Sequence, residues 1–531
     1  MAVVVAYGSA ILKALLLVVG YLICLGVYRL YLSPLAKIPG PKLAALTFLY
    51  EAYYDIICRG RYTWKIQELH KKYGPIVRIN PREVHINDVN YYDQIYASGS
   101  QHLRNKIRHM ATHDESMFDT FDAETHRIRR AAMSVSFSKR SIRALEPVIR
   151  ATVEQLADRM EALAGSDRIV NLKELYSGLT MDVIGQYCFG ESMDNLKQEA
   201  FGKEFLDFFH SVPQGHPVGR MFPWLYDIIQ KIPIRILARI DNKLQPLADY
   251  EKKISSQITD VLAKSKPDGI RTVFHELRDS KQLPESDKTL DRFKAEATIF
   301  LGAGTETTAA ALTTISYYLL EKSDRLERLR DELRDAFAQN PAEPITVAKL
   351  ETLSYLTGVI QEGIRLSFGV PGRLPRIAPK EELVYAGFKL PPGTVISESS
   401  YLIHMNEDLF PDPHAFQPER WINDKAGLSG NFVPFSRGAR MCIGINLAYA
   451  ELYLTTATVF SRFDFELHGT TQDDVKVCHD FFVGMPYLES QGVRVKISSA
   501  DFYHQGRLDP GACDIITEKQ LAKSEPQNVE A

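Results

Sequence analysis

Ten consecutive residues concentrate the chemistry of this chain: Phe-Ser-Arg-Gly-Ala-Arg-Met-Cys-Ile-Gly, from Phe435 to Gly444. They set Cys442 between a glycine-arginine loop and a segment that reads as the start of a helix from Asn446 onward. A helix start offers free N–H groups and positive potential, which lower a thiol pKa and stabilise a thiolate. Gly438 and Gly444 permit tight turns and close backbone approach to a flat ligand. Arg440 supplies a permanent cation for a carboxylate. A thiolate, hydrogen-bond donors to its sulfur and an arginine for a propionate are what a haem iron with a cysteine axial ligand requires. The plainer reading of a lone cysteine, a small buried hydrophobe, leaves the residues around it unexplained.

A second segment, Leu301-Gly-Ala-Gly-Thr-Glu-Thr-Thr-Ala309, interrupts an otherwise helical run from Phe293 to Leu320. Gly302 and Gly304 each cost about 1 kcal/mol in a helix interior relative to alanine. Small residues there let a flat cofactor approach the backbone, and a local bulge can admit dioxygen or water. Glu306 and Thr307 form an acid-alcohol pair suited to a proton relay, the hydroxyl donating and the carboxylate resupplying it. A Gly/Thr-rich stretch also suits a close helix–helix contact. Glu362 and Arg365 carry opposite charges three residues apart on one helix face. Arg420, in Pro418-Glu-Arg-Trp421, can join them in a buried ionic network.

Together these segments resemble the cytochrome P450 family. Phe435 to Gly444 matches its haem loop, Phe-x-x-Gly-x-Arg-x-Cys-x-Gly, at every fixed position, and Ala303 to Thr308 matches its oxygen-activation segment. Glu362–Arg365 and Pro418–Trp421 match its Glu-x-x-Arg and Pro-Glu-Arg-Phe/Trp elements. His126-Arg-Ile-Arg-Arg130 resembles its Trp-x-x-x-Arg helix with His126 in place of tryptophan, which keeps a ring N–H donor. Arg376, after the Glu-x-x-Arg helix, stands where the family often has another propionate partner. Lys72 to Pro81, Val370 to Arg376 and Ser436 to Cys442 look like fungal microsomal members, similar to trichodiene-oxygenase-like enzymes of secondary metabolism.

The resemblance implies a mainly α fold with a small β lobe and a b-type haem ligated by Cys442. Arg440, Arg130, His126, Arg376 and Phe435 would surround that haem, with Glu306 and Thr307 as the catalytic pair. NADPH electrons would arrive through a separate cytochrome P450 reductase, and one atom of O2 would enter an apolar terpenoid, polyketide or alkaloid intermediate. Substrate contacts would come from about 100–121, 205–224, Phe300, Ala303, 370–374 and 482–485. Arg127, Arg129, Lys139, Arg140 and Arg143 form either a solvated face or a docking patch for an acidic reductase. Rival readings are a haem-thiolate isomerase or dehydratase acting on peroxides, and a non-enzymatic haem sensor. Retention of the Glu306–Thr307 pair argues against the first.

The elements that must position these residues are equally legible. The chain has 531 residues, of which 45% are hydrophobic, and a net charge of −3, so there is no global pull toward nucleic acid. Six cysteines, at 24, 58, 188, 442, 478 and 513, show no paired spacing, which favours a reducing location. Residues 1–28 are apolar enough to span a bilayer. Arg29, Lys37 and Lys42 follow, so the positive-inside rule places the body in the cytosol, at the endoplasmic reticulum membrane if the resemblance holds. A proline-rich hinge at 29–45 follows, then a catalytic body at 46–500 and a polar tail at 501–531. Tyr73 to Pro81 and Glu83 to Asn87 read as paired strands, and 138–333 as helix-rich, with breaks at Gly190 and at Pro213, Pro217, Pro223, Pro233 and Pro267. Short β pieces return between Pro379 and Thr394.

Overall fold

The computed structural model describes residues 2–99, 102–107, 115–199, 201–203, 210–229, 231–263, 271–339, 344–422 and 427–499. The expected tail, Pro267, residues 205–209 and parts of 100–114 lie outside these.

The helix Leu290–Glu321 is the axis of the body. Thr289 starts it by accepting a hydrogen bond from the Arg292 N–H, satisfying one of the free donors of the first turn. Four further helices pack around it: Leu172–Phe189, Ser354–Ser367, Gln245–Ala263 and Ile445–Arg462. Leu172–Phe189 is capped by the Asn171 side chain and stops at Gly190, whose φ of 80° is a left-handed termination. It is buried on nearly all sides, hence an apolar sequence without a polar stripe. Lys139–Leu163, by contrast, turns Ile142, Leu145, Ile149, Val153, Leu156 and Met160 inward at three- and four-residue spacing. It packs against both Leu172–Phe189 and Ile445–Arg462.

The β lobe is small. Strands β1 (Ile76–Arg78), β2 (Glu83–Ile86), β3 (Asn105–Lys106), β5 (Arg376–Ile377) and β8 (Val395–Ser397) form one sheet in the order β1-β2-β8-β5-β3. The expected pairing of the first two is present, with Ile76 opposite Ile86 and Val77 opposite His85. A three-stranded sheet joins β4 (Val170–Asn171), β12 (Arg494–Ser499) and β9 (Phe463–Leu467). Two hairpins complete the set: β6 (Leu383–Tyr385) with β7 (Phe388–Leu390), and β10 (His479–Phe481) with β11 (Val483–Met485). Pro391 to Thr394 turns the chain between β7 and β8, the Thr394 N–H donating to the Pro391 carbonyl at 3.1 Å.

At the amino end, Ala2–Val27 is one helix, continued as a π-helical turn over Tyr28–Leu32. Its stretch Ile11–Leu32 has a mean hydropathy of 2.3 and contains no buried residue. The proline-rich segment that follows is docked rather than swinging free. Leu35 and Ile38 are buried, and the Arg78 backbone N–H donates to the Pro39 carbonyl at 2.8 Å. The Arg78 guanidinium donates to the Arg29 carbonyl at 2.7 Å. Gly40 is required here, because a Cβ would lie 2.5 Å from the Arg78 carbonyl oxygen.

Candidate functional site

The loop before Ile445–Arg462 is set by its own backbone. The Ser436 N–H donates to the Val433 carbonyl, the Met441 N–H to Gly438 and the Cys442 N–H to Phe435, at 3.0, 3.2 and 2.9 Å. Gly438 has a φ of 74°, and a Cβ there would sit 1.9 Å from the Tyr96 carbonyl oxygen, so only glycine fits. Gly444 needs no special conformation; a Cβ there would stand 3.9 Å from the Cys442 sulfur. The Phe435 ring packs on Tyr449 at 5.5 Å. Cys442 is exposed, yet enough protein surrounds it that burial raises its thiol pKa, with the Gly444 N–H and then Arg130 pulling the other way. The helix start alone does not make this sulfur a thiolate; a bound metal ion would.

Five basic groups gather beside it. His126 and Arg130 are one turn apart on the helix Ala123–Ser134. Arg440 comes from the cysteine loop, donating to the Thr120 and Phe121 carbonyls at 2.8 Å each. Arg376 and Lys106 are cross-strand partners in β5 and β3, both nearly fully buried. Like charges directly opposite on a sheet repel. Burial, despite Asp119 nearby and aided by Arg376 and Arg440, lowers Lys106 to about 7. Burial followed by Arg376 lowers Arg440 to about 9, and burial followed by Arg440 and Arg130 lowers His126 to about 2. Arg376 donates from Nη1 to the neighbouring Leu374 and Pro375 carbonyls. Among the described residues the nearest carboxylate to Lys106 is Asp119, 4.0 Å away. Buried charge is ordinarily paired. This cradle is short of anions, and the two propionates of a haem over Cys442 fit the deficit.

On the other wall, helix 290–321 is buried along its core face but exposes Ala303 and half-exposes Thr307. The Thr307 hydroxyl donates to the Ala303 carbonyl at 2.8 Å. The structure does not join Thr307 to Glu306. The Glu306 carboxylate turns to Lys173, with Nζ at 2.6 Å, and pairs with His210 Nδ1. Burial pushes that carboxyl upward, but Lys173 and then His210 outweigh it and hold it far below the usual carboxylate range. Nor is there a bulge, since the helix is α-helical throughout. A Cβ on Gly304 would meet Ile184 Cγ1 at 3.2 Å, so this glycine serves the contact with Leu172–Phe189.

Behind the loop, Glu362 is the hub of the expected ionic network. Its Oε1 accepts from Arg365 at 2.7 Å and from Arg420 at 3.0 Å, and its Oε2 from Arg365 at 2.8 Å and Trp421 at 2.9 Å. His404 then accepts the Val433 N–H at 3.1 Å, tying this block to the start of the cysteine loop.

The family pattern described as cytochrome P450 matches residues 52–486. The chain is a cytochrome P450. It is 40% identical over 503 residues to the cytochrome P450 monooxygenase tpcC of Cochliobolus heterostrophus, covering 90% of this chain and 95% of that one. It is 41% identical over 479 residues to the conidiogenone synthase PchP450 of Penicillium rubens, covering 89% and 96%. It is 38% identical over 484 residues to the tryptophan 6-hydroxylase fscE of Fusarium equiseti, covering 89% and 94%. Members of the family bind haem iron, and this P450 is accordingly an oxidoreductase.

Three residues of this site were not picked out individually from the sequence. Lys106 carries no local signal; only the β3–β5 register sets it beside Arg376. Lys173 and His210 lie 133 and 96 positions from Glu306; His210 falls within the 205–224 stretch expected to contact substrate, but nothing there pairs it with Glu306. One basic residue was also misassigned. Arg129 is held by Asp287 at 2.8 Å and by the Thr120 hydroxyl at 2.9 Å, which removes it from any solvated docking face.

Proposed function

We propose that this P450 is a membrane-anchored monooxygenase that inserts one atom of O2 into an apolar intermediate of fungal secondary metabolism. NADPH electrons reach it through a separate reductase, and its body faces the cytosol at the endoplasmic reticulum. The observation that carries the haem-thiolate reading is the anion-deficient cradle of Lys106, His126, Arg130, Arg376 and Arg440 beside Cys442. Haem, when bound, supplies the redox chemistry, the thiolate pushing electron density toward O–O cleavage.

The chain's own groups divide the remaining work. The Gly444 N–H and Arg130 temper the charge on the Cys442 sulfur. Arg440 keeps part of its donor set on the 120–121 backbone, so a propionate bound to it also orders that loop. Thr307 stores a proton against the Ala303 carbonyl and delivers it by rotating its hydroxyl. Glu306, held ionised, anchors the far end of the relay through its pairs with Lys173 and His210. Phe118 and Phe482, 5.6 Å apart, give the distal side an apolar wall suited to an apolar substrate. Arg127, Lys139, Arg140 and Arg143 remain the basic face for an acidic reductase, with Arg127 sharing its charge with Glu124 at 2.6 Å and Lys139 with Glu351 at 2.8 Å.

Co-expression with an NADPH–cytochrome P450 reductase in microsomes, fed with terpenoid, polyketide and alkaloid panels under ¹⁸O₂, tests this reading. One labelled oxygen per product, dependent on NADPH, is expected. Rearrangement of an organic peroxide without NADPH would point instead to the isomerase chemistry.

A further inference from the structure

Residues 210–221 form a strap across the distal side, pinned at both ends. At one end His210 pairs with Glu306 of helix 290–321. At the other, Arg220 reaches an ionic cluster on the amino-terminal side: its Nη2 lies 2.8 Å from Glu51 Oε1 and contacts Asp55 Oδ2. Between the ends, Val212–Gly215 packs on β10, His216 lies 5.5 Å from Phe482, and His216–Met221 packs on Tyr53–Ile57. Phe482 in turn meets Phe118, so the strap closes over the wall of the distal site.

The cluster beneath Arg220 is unbalanced. Glu51, Asp55 and Glu83 are all nearly fully buried. Arg373 pairs with Glu51 and, at 3.0 Å, with Glu83. Asn80 donates to Glu51 and Glu83 at 2.8 and 3.0 Å, and Ser397 to Glu83 at 2.7 Å. Asp480, which accepts from Thr63 at 2.6 Å, and the buried Tyr62 complete the surroundings. Among the described residues Asp55 makes its ion pair with Arg220. Three buried carboxylates thus depend on two guanidinium groups, one of which rides on the strap.

We propose that Arg220 is a latch holding the strap down over the substrate entrance, and that protonation of Asp55 releases it. Lifting the strap removes Arg220 and leaves Asp55 and Glu51 sharing Arg373, which is costly unless a proton joins them. Burial pushes the Asp55 carboxyl up to about 7, against the pull of Arg220 and Arg373 and with the help of Glu51 and Asp480. Arg373, Glu51, Tyr62 and Asp480 lie off the strap and keep Asp55 enclosed, so loss of Arg220 removes its strongest counter-charge and raises it further. The open strap therefore binds the proton more tightly than the closed one, so acid favours opening and ionised Asp55 favours closure.

The proposal goes beyond the monooxygenase reading and needs only bound haem. Stopped-flow binding of clotrimazole, a bulky azole, to the full-length holoenzyme in nanodiscs reads entry directly, with imidazole as the small control. From about pH 8 to about pH 6 the wild-type clotrimazole on-rate should rise several-fold. Arg220→Gln and Asp55→Asn should bind at about pH 8 as fast as the wild type does at about pH 6, and lose the pH dependence. With both on-rates expressed per neutral azole, since imidazole itself titrates in this range, imidazole entry should be unchanged throughout. Wild-type clotrimazole on-rates equal at the two pH values, an unaltered clotrimazole rate in haem-loaded Arg220→Gln, or a retained pH dependence in Asp55→Asn, overturns the latch. Hydrogen exchange over residues 211–221 of the wild type needs no variant. Protection, corrected for intrinsic rates, should fall toward acid, and equal protection at both pH values refutes the idea.

Discussion

Substituting Glu362 by glutamine changes almost nothing in volume and removes one buried charge. The carboxylate receives Arg365 through both oxygens, Arg420 and the Gln417 N–H through Oε1, and the Trp421 indole N–H through Oε2. An amide keeps one acceptor oxygen. Placed best, its oxygen takes the more crowded Oε1 position, which sets the new NH2 against the Arg365 Nε–H and the Trp421 N–H, donor facing donor. Arg365 has no exposed surface from which to recruit water. Breaking a buried pair in this way costs about 3–5 kcal/mol, roughly a 150- to 4,000-fold shift in the folded-to-unfolded ratio. Against a typical total stability of about 5–15 kcal/mol that is a large share. Because the network precedes the cysteine loop, haem-loaded yield should collapse with it. The assay is the carbon-monoxide difference spectrum per mole of protein together with thermal unfolding. In Glu362→Leu/Arg365→Leu/Arg420→Leu, removing all three charged members should recover part of the loss, since no unpaired charge remains. Glu362→Gln with wild-type haem content and an unshifted midpoint would refute the argument that this hub holds the loop.

Cys442→Ala should abolish the red-shifted Soret band of the reduced, carbon-monoxide-bound protein; a variant keeping that band would show another ligand. Thr307→Ala should let NADPH consumption continue while product per NADPH falls several-fold and hydrogen peroxide rises, and unchanged coupling would leave Thr307 as packing only. Lys106→Met should speed haem transfer to excess apomyoglobin by relieving the cradle of one propionate partner, and an unchanged rate would remove Lys106 from that role. Deleting residues 1–28 should release at least part of the protein from membranes with its haem spectrum intact. Persistent tight binding would point to a second apolar contact, near the exposed Phe222 and Trp224; complete loss of folded protein would show that the anchor is needed for folding.

The cysteine loop was legible because its chemistry is contiguous: sulfur, glycine turn and arginine lie within ten residues, and their mutual positions follow from a few backbone dihedrals. The apolar amino-terminal helix and the β1–β2 pairing were legible for the same reason, since hydropathy and turn residues act over short stretches. Glu306 shows where that stops. Its neighbour Thr307 is adjacent in sequence, yet successive helical residues point about 100° apart, and the carboxylate's partners arrive from the Lys173 region and from the strap. Gly304 likewise read as a cofactor approach, and only the packing of Ile184 against it assigns it to a helix contact. The cradle depends on tertiary structure most of all. Lys106, His126, Arg130, Arg376 and Arg440 span more than three hundred positions and meet because a sheet register, a helix turn and a loop converge. Charge balance is a through-space property: residue types along a chain show which cations exist, and only folding decides which of them are left without an anion.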